Sequence, residues 1–243
     1  PDRCRGDVDG RAGGAGRGPT EIGGLILLPE YRRAQDGLGK ALSFVRFLFI
    51  GMHRAWFRDK VLSELLPPLD ADGASLLWEH VGRHFTGLSY QEADLLSKDN
   101  KEFIHALFPD EPIHTELLPP DVRAIIGKVG PETQAVERML RRIGFSYAGQ
   151  IDPFDGGPHF VARTDDITVV KASRSVRLRQ APAEPAGALW AVLAVEHPQH
   201  GAAPGFVATS ARVAIAGDDV AAGPEVFAAL GVRDGDTVWV THE

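Results

Sequence analysis

Cysteine is almost absent: Cys4 stands alone in a chain of 243 residues. This excludes an internal disulfide framework and a cysteine-based metal site. Cations are outnumbered, 26 Lys and Arg against 33 Asp and Glu, for a formal net charge of −7. A sequence-independent nucleic-acid binder needs clustered Lys and Arg, so this charge argues against that class. Long apolar runs are missing as well; the most apolar stretch, Phe47 to Met52, is far too short to span a bilayer. No apolar run follows a basic start, so no signal peptide is visible. No internal repeat is found. The expectation is a cytoplasmic protein with small-molecule partners, no nucleic acid, no membrane and no metal.

What is present is ordinary for a globular chain: 44% hydrophobic and 24% charged residues, long enough for one large or two small domains. Residues Pro1 to Pro19 stand apart. They are rich in Gly, Arg and Asp, with Val8 the only branched aliphatic. Such a segment buries too little apolar surface to offset its ordering entropy and is expected to be disordered.

Thr20 to Phe57 carries the clearest local signal. Ile22 to Leu28 is a short apolar run bounded by Pro29, read as a strand. Arg32 and Arg33 follow, then Asp36-Gly37-Leu38-Gly39, then a long apolar helix from Gly39 to about Phe57. Glycines let a backbone approach a ligand closely, and a helix N-terminus offers free N–H groups and a positive dipole end. The unit suits a pyrophosphate, although any βα turn in an α/β protein has the same outline.

Farther along, Val61 to Leu66 reads as a buried strand, and Ser75 to His84, Tyr90 to Ser97, Lys101 to Phe108 and Asp121 to Ile126 as helices. Ser89 and Glu92 have capping-box spacing. Pro131 to Ile143 is an amphipathic helix stopped by Gly144. Phe145 to Ile151, His159 to Arg163 and Ile167 to Lys171 read as strands, the first two flanking the acidic turn Asp152 to Pro158. Residues Gln180 to Gly187 form a Pro/Ala/Gly/Glu linker. Beyond it, Ala188 to Val195, Gly205 to Ala208, Arg212 to Ala216 and Thr237 to Thr241 read as strands, with a helix over Glu225 to Leu230. The expected organisation is a disordered 1–19, an α/β domain over 20–179, and a small β-rich module over 187–243.

The strand–turn–helix unit is similar to the coenzyme-A-binding part of GNAT-type acyltransferases, whose Q/R-x-x-G-x-G/A loop cradles a pyrophosphate. Gly37 and Gly39 fit that loop; Ala34 stands at its first position, with Arg33 one residue early. The blocks TEIGGLILLPEYRR, SFVRFLFI, LLWEHVGRHFTGLSYQEADLLS, FIHALFPDEPIHTELLP, IIGKVGPETQAVERMLRRIGF and IDPFDGGP follow in order. Together they resemble the arginine N-succinyltransferase family, over about Thr20 to Ser175.

The resemblance implies a GNAT-like mixed sheet with flanking helices, lacking an N-terminal half, plus the β-rich module. It implies transfer of succinyl from succinyl-CoA, a co-substrate rather than a permanent cofactor, to the α-amino group of arginine, or of ornithine, in arginine catabolism. It also implies a homo- or hetero-oligomer. It places Leu25 at the succinyl-CoA site, and the similarity to the GNAT-type loop adds Arg33, Gly37 and Gly39 as expected CoA contacts. Where the family reads V-H-P, with the histidine as proton donor, this chain has Val129-Gly130-Pro131. A non-catalytic CoA-binding subunit of the same family is therefore the alternative, and an acyltransferase with another acceptor a third.

Other residues have two readings each. Glu21 is a proton acceptor or a solvated strand-end acid. His84, His105 and His114 are substitutes for the missing donor or ordinary packed and surface histidines. His197 and His200 are too sparse for a metal site. Asp152 and Asp155 bind a cationic substrate or simply close Asx hydrogen bonds in their turn.

Overall fold

The computed structural model describes residues 18–31, 37–99, 106–108, 111–182, 185–197 and 205–243. They form two compact units, each discontinuous in sequence. One combines the described residues up to Gly23 with Lys60–Ala162, and the other combines Gly24–Asp59 with Arg163–Glu243.

The first unit is built on a four-stranded sheet in the order β1-β2-β4-β3. The strands are β1 (Thr20–Glu21), β2 (Lys60–Glu64), β3 (Ser146–Ile151) and β4 (Pro158–Arg163). β1 runs parallel to β2, and the Ile22 N–H extends the pairing by donating to the Leu62 carbonyl. β3 and β4 are antiparallel, with an irregularity between Tyr147 and Ile151. Burial alternates along β2 and β4: Val61, Ser63, Phe160 and Ala162 face inward, as expected when one face of a sheet meets a core. Helix Gln134–Arg142 contributes the fully buried Leu140, and Ile143 follows it. Gly144 ends that helix with a φ of 111°, a region that favours glycine.

Helical residues 76–86 include a π-turn over Trp78–Gly82. The Trp78 ring lies against Gly82, where a Cβ would fall 2.3 Å from a ring carbon. Helix Tyr90–Asp99 is capped reciprocally: the Ser89 N–H donates to the Glu92 carboxylate at 2.9 Å, and the Glu92 N–H donates to Ser89 Oγ at 3.3 Å.

The second unit is a closed barrel in the order β5-β8-β7-β6-β9. Its strands are β5 (Arg174–Gln180), β6 (Leu189–Glu196), β7 (Phe206–Ala216), β8 (Asp219–Ala222) and β9 (Thr237–His242). β5 and β8 are parallel; the other pairs are antiparallel. Val176, Leu178, Leu193, Val213, Val220 and Val240 fill the interior, with Val226 and Leu230 of helix Pro224–Leu230 joining them. Closure leaves no free edge.

Helix Leu38–Met52 belongs to this unit. Phe44 meets Trp190 edge-on at 5.5 Å, and Phe49 meets Phe206 at 5.1 Å. Gly51 lets the helix approach Ser173, whose Cβ would stand 2.5 Å from a Cβ at position 51.

Two expected strands are corrected. Ile22 to Leu28 does not form a strand: the strand is Thr20–Glu21, residues 22–28 have no regular structure before the 3-10 turn Pro29–Tyr31, and Leu25, Ile26 and Leu28 are exposed at 38%, 75% and 54%. Hydrophobicity alone does not make a strand; a neighbouring strand in register is also needed. The strand over Ile167 to Lys171 is instead a short helix, Thr168–Lys171. Val169 and Val170 are adjacent and both buried, which a helical turn permits and a one-sided strand does not. The two expected strands around Gly205 to Ala208 and Arg212 to Ala216 are one, β7, while β5 and β8 were not foreseen. The helix over Lys101 to Phe108 lies mostly outside the described residues, as does the segment 1–19 up to residue 17.

Candidate functional site

The electrostatic centre of the first unit is the turn between β3 and β4. Its shape comes from its own sequence. The Phe154 N–H donates to Asp152 Oδ1 at 2.8 Å, the Gly157 N–H to Asp155 Oδ1 at 2.7 Å, and the Gly156 N–H to the Asp152 carbonyl. These are the Asx bonds expected of Asp in a turn. Phe154 pins the loop to the core, packing on Trp78 at 4.4 Å and Tyr90 at 5.1 Å. The buried Ser75 hydroxyl donates to the Asp155 carbonyl at 3.0 Å.

Asp155 is thereby buried, at 8% exposure. Desolvation, then the neighbouring Asp152, push its carboxyl up to about 7, and the Gly157 N–H only partly opposes them. Across the sheet, His159 Nε2 lies 3.2 Å from Glu64 Oε1, within ion-pair reach although not aligned as a hydrogen bond. Burial works against the charged imidazole, but Glu64, Asp152 and Asp155 outweigh it and hold His159 above its ordinary value. Desolvation and Asp155 likewise raise the Tyr90 phenol. Three carboxylates and a histidine thus share one corner, an arrangement that can accept a proton near neutral pH.

Gly130 is stitched to the same corner. Its N–H donates to the Leu66 carbonyl at 2.8 Å, just past β2, and Gly127 N–H donates to the Gly156 carbonyl at 2.9 Å. The fit is tight: a Cβ at position 130 would stand 2.6 Å from the Pro67 carbonyl oxygen. Thr133 closes the turn, its hydroxyl donating to the Leu66 carbonyl at 3.0 Å.

Leu25, Gly37 and Gly39 lie in the second unit, and Arg33 falls outside the described residues. Gly37 is the N-cap of helix Leu38–Met52, in the left-handed region at φ 62° and ψ 33°, a conformation that favours glycine. The first bond of the helix runs from Ala41 N–H to the Gly37 carbonyl, so the N–H groups before it have no partner within the helix. Among the described residues only Leu27 stands near Gly39, at an ordinary 3.8 Å, so packing among them does not demand a glycine there. Lys40 is tied to Glu243 at 2.7 Å and lies over the Trp190 ring at 4.6 Å.

The remaining expected candidates are less engaged. Glu21 is exposed on β1; His84 and His114 are exposed; His105 and His200 lie outside the described residues. His197 Nε2 meets the Leu230 carbonyl at 2.7 Å, which holds helix Pro224–Leu230. Among the described residues, no group of three or more His, Cys, Asp or Glu could hold a metal ion, and no helix is long and apolar enough to cross a membrane. The Glu64–His159 pairing was missed because it depends on β2 and β4 being sheet neighbours; the only signal in the sequence is an ionisable residue at the end of each of two strands.

By architecture this is a mixed α/β protein with a separate five-stranded barrel, carrying a buried acid–histidine corner. A protein-family model described as the arginine N-succinyltransferase beta subunit matches residues 14–169. The chain belongs to the arginine N-succinyltransferase family. It is 38% identical over 229 residues to the arginine N-succinyltransferase of Yersinia pestis (strain Pestoides F), covering 91% of this chain and 63% of that one. It is 40% identical over 162 residues to the arginine N-succinyltransferase subunit beta of Pseudomonas aeruginosa, covering 66% of this chain and 47% of that one. A solved structure of arginine/ornithine succinyltransferase subunit AI from Pseudomonas aeruginosa is similar, with a TM-score of 0.67 and 32% identity, over 85% of this chain and 58% of that one. The chain therefore spans less than two thirds of the length of these relatives.

Proposed function

We propose that this chain acts as an arginine N-succinyltransferase. The neutral α-amino nitrogen of arginine attacks the thioester carbon of succinyl-CoA, the carbon–sulfur bond breaks, and a base takes the amine proton and relays it to the departing sulfur, so that CoA leaves as the thiol. Ornithine is the second acceptor. The reading places the chain in the cytoplasm, as part of a homo- or hetero-oligomer, with a GNAT-like fold. The observation that carries it is the continuous family match over residues 14–169, together with relatives of that name aligned over most of the chain.

Within this reading, succinyl-CoA is held by Leu25, Arg33, Gly37 and Gly39. Support comes from the left-handed Gly37 cap, whose first-turn N–H groups have no partner within the helix, and from a Gly39 that packing among the described residues does not explain. Because Gly130 has no side chain, the proton goes to another group. Asp155, with its carboxyl near 7, and His159, held above its ordinary value beside Glu64, are the groups in this corner suited to take it.

The second reading, a CoA-binding subunit without turnover, is favoured by one observation: Gly130 is packed so closely that the family's histidine has no room there. Two measurements on the purified chain separate the readings. Arginine-dependent thiol release from succinyl-CoA supports the first. CoA binding by calorimetry without thiol release supports the second, and neither binding nor release sinks both.

A further inference from the structure

A groove of about 500 Å³ opens on the first unit beside the acid–histidine corner, and its charge is opposite. Gln134, Arg138 and Arg141 project from one face of helix Gln134–Arg142, at the spacing that aligns side chains on a helix. Lys128 enters from the turn before it, and Tyr147 and Phe160 are directly opposed across β3 and β4.

The charges do not cancel locally. Glu137 is the groove's one carboxylate, and Arg141 binds it at 2.9 Å while its guanidinium lies 4.7 Å from the centre of the Phe160 ring. Neither Lys128 nor Arg138 has a carboxylate partner among the described residues. Two cations without a carboxylate partner among the described residues converge in a chain whose net charge is −7. Tyr147, 41% exposed, adds a ring face and a hydroxyl. Guanidinium and ammonium donors suit phosphate oxygens, and an exposed aromatic face suits a planar base.

We propose that this groove, lined by Lys128, Gln134, Arg138, Arg141 and Tyr147, binds the phosphate-bearing end of a nucleotide-sized anion. The volume is within the range of small-molecule sites. A free nucleotide and the adenosine phosphate portion of CoA share this chemistry. The site stands whether or not the chain transfers succinyl groups.

The test is calorimetric titration of the full chain with ADP, CoA and inorganic phosphate, repeated with Arg138→Glu and with Lys128→Ala, the melting temperature of each variant being checked. Binding of ADP and CoA alike marks a nucleotide site distinct from the CoA site placed at Gly37 and Gly39; binding of CoA alone that weakens in Arg138→Glu marks the co-substrate as the source and moves its phosphates here from Gly37 and Gly39. Either result is expected to weaken about ten- to hundredfold in Arg138→Glu, since charge-assisted hydrogen bonds are lost, and to weaken with added salt. Lys128→Ala should weaken it less while leaving the fold intact. No binding by ADP or CoA, inorganic phosphate binding as tightly as either nucleotide, or undiminished binding in a folded Arg138→Glu chain would overturn the proposal.

Discussion

Gly130 occupies a position where the backbone of its neighbours leaves no space. A histidine there would set its Cβ 2.6 Å from the Pro67 carbonyl oxygen and disturb the Gly130–Leu66 hydrogen bond at 2.8 Å. Gly130→His should therefore destabilise the chain by about 1–3 kcal/mol, the usual cost of overpacking, and should not raise turnover. A stable variant with faster succinyl transfer would show that the turn yields easily. Asp155 makes a separate prediction. Its folded-state carboxyl, near 7, lies above its unfolded value, so the native state binds a proton that the unfolded state has released. That contribution is full at acid pH and is lost as pH rises through about 4 to 7. Asp155→Asn keeps an oxygen for the Gly157 N–H and removes the charge. A melting-temperature series should then fall less steeply over that pH range than the parent's, one unit of pKa being worth about 1.4 kcal/mol. Identical slopes would contradict the assigned burial. The Asx bonds of this turn were legible from Asp152 and Asp155 themselves; the Glu64 contact was not, because nothing local to either strand names its neighbour.

At the scale of elements, reading succeeded where the signal was local. The helix from Leu38, the Ser89–Glu92 box, the Gly144 stop and β6 all rest on adjacent residues with one physical solution. It failed where the signal depended on distant partners. Ile22 to Leu28 is apolar enough for a strand, but pairing ends at Ile22. Ile167 to Lys171 is too short to show a period, and burial of two adjacent valines settles it as a helical turn. β8 is four residues long and is defined by pairing with β5 and β7 rather than by its own pattern. The first correction has a direct consequence. Ile26 is 75% exposed, so Ile26→Ser should change stability by no more than about 0.5 kcal/mol. In a paired, buried strand the same change would cost several times that, and a melting experiment distinguishes the two. The closed barrel carries the opposite expectation: Leu193, fully buried within it, should cost about 2–5 kcal/mol when replaced by alanine.

At the scale of the whole molecule, chemistry and family point the same way but rest on different residues. The family match over 14–169 crosses both compact units, while the acid–histidine corner and the basic groove lie in one of them. The overall α/β character was legible from alternating strand and helix signals. The composition of each unit was not, because assigning Gly24–Asp59 to the barrel depends on aromatic contacts made by Phe44 and Phe49 with residues far along the chain. The central claim, succinyl transfer to arginine, is most directly tested by incubating the purified chain with succinyl-CoA and arginine and identifying the product by mass spectrometry. The account predicts N-succinylarginine formed in step with free CoA thiol, with turnover reduced in His159→Gln relative to the parent. Bound CoA with no succinylated arginine after prolonged incubation would contradict it.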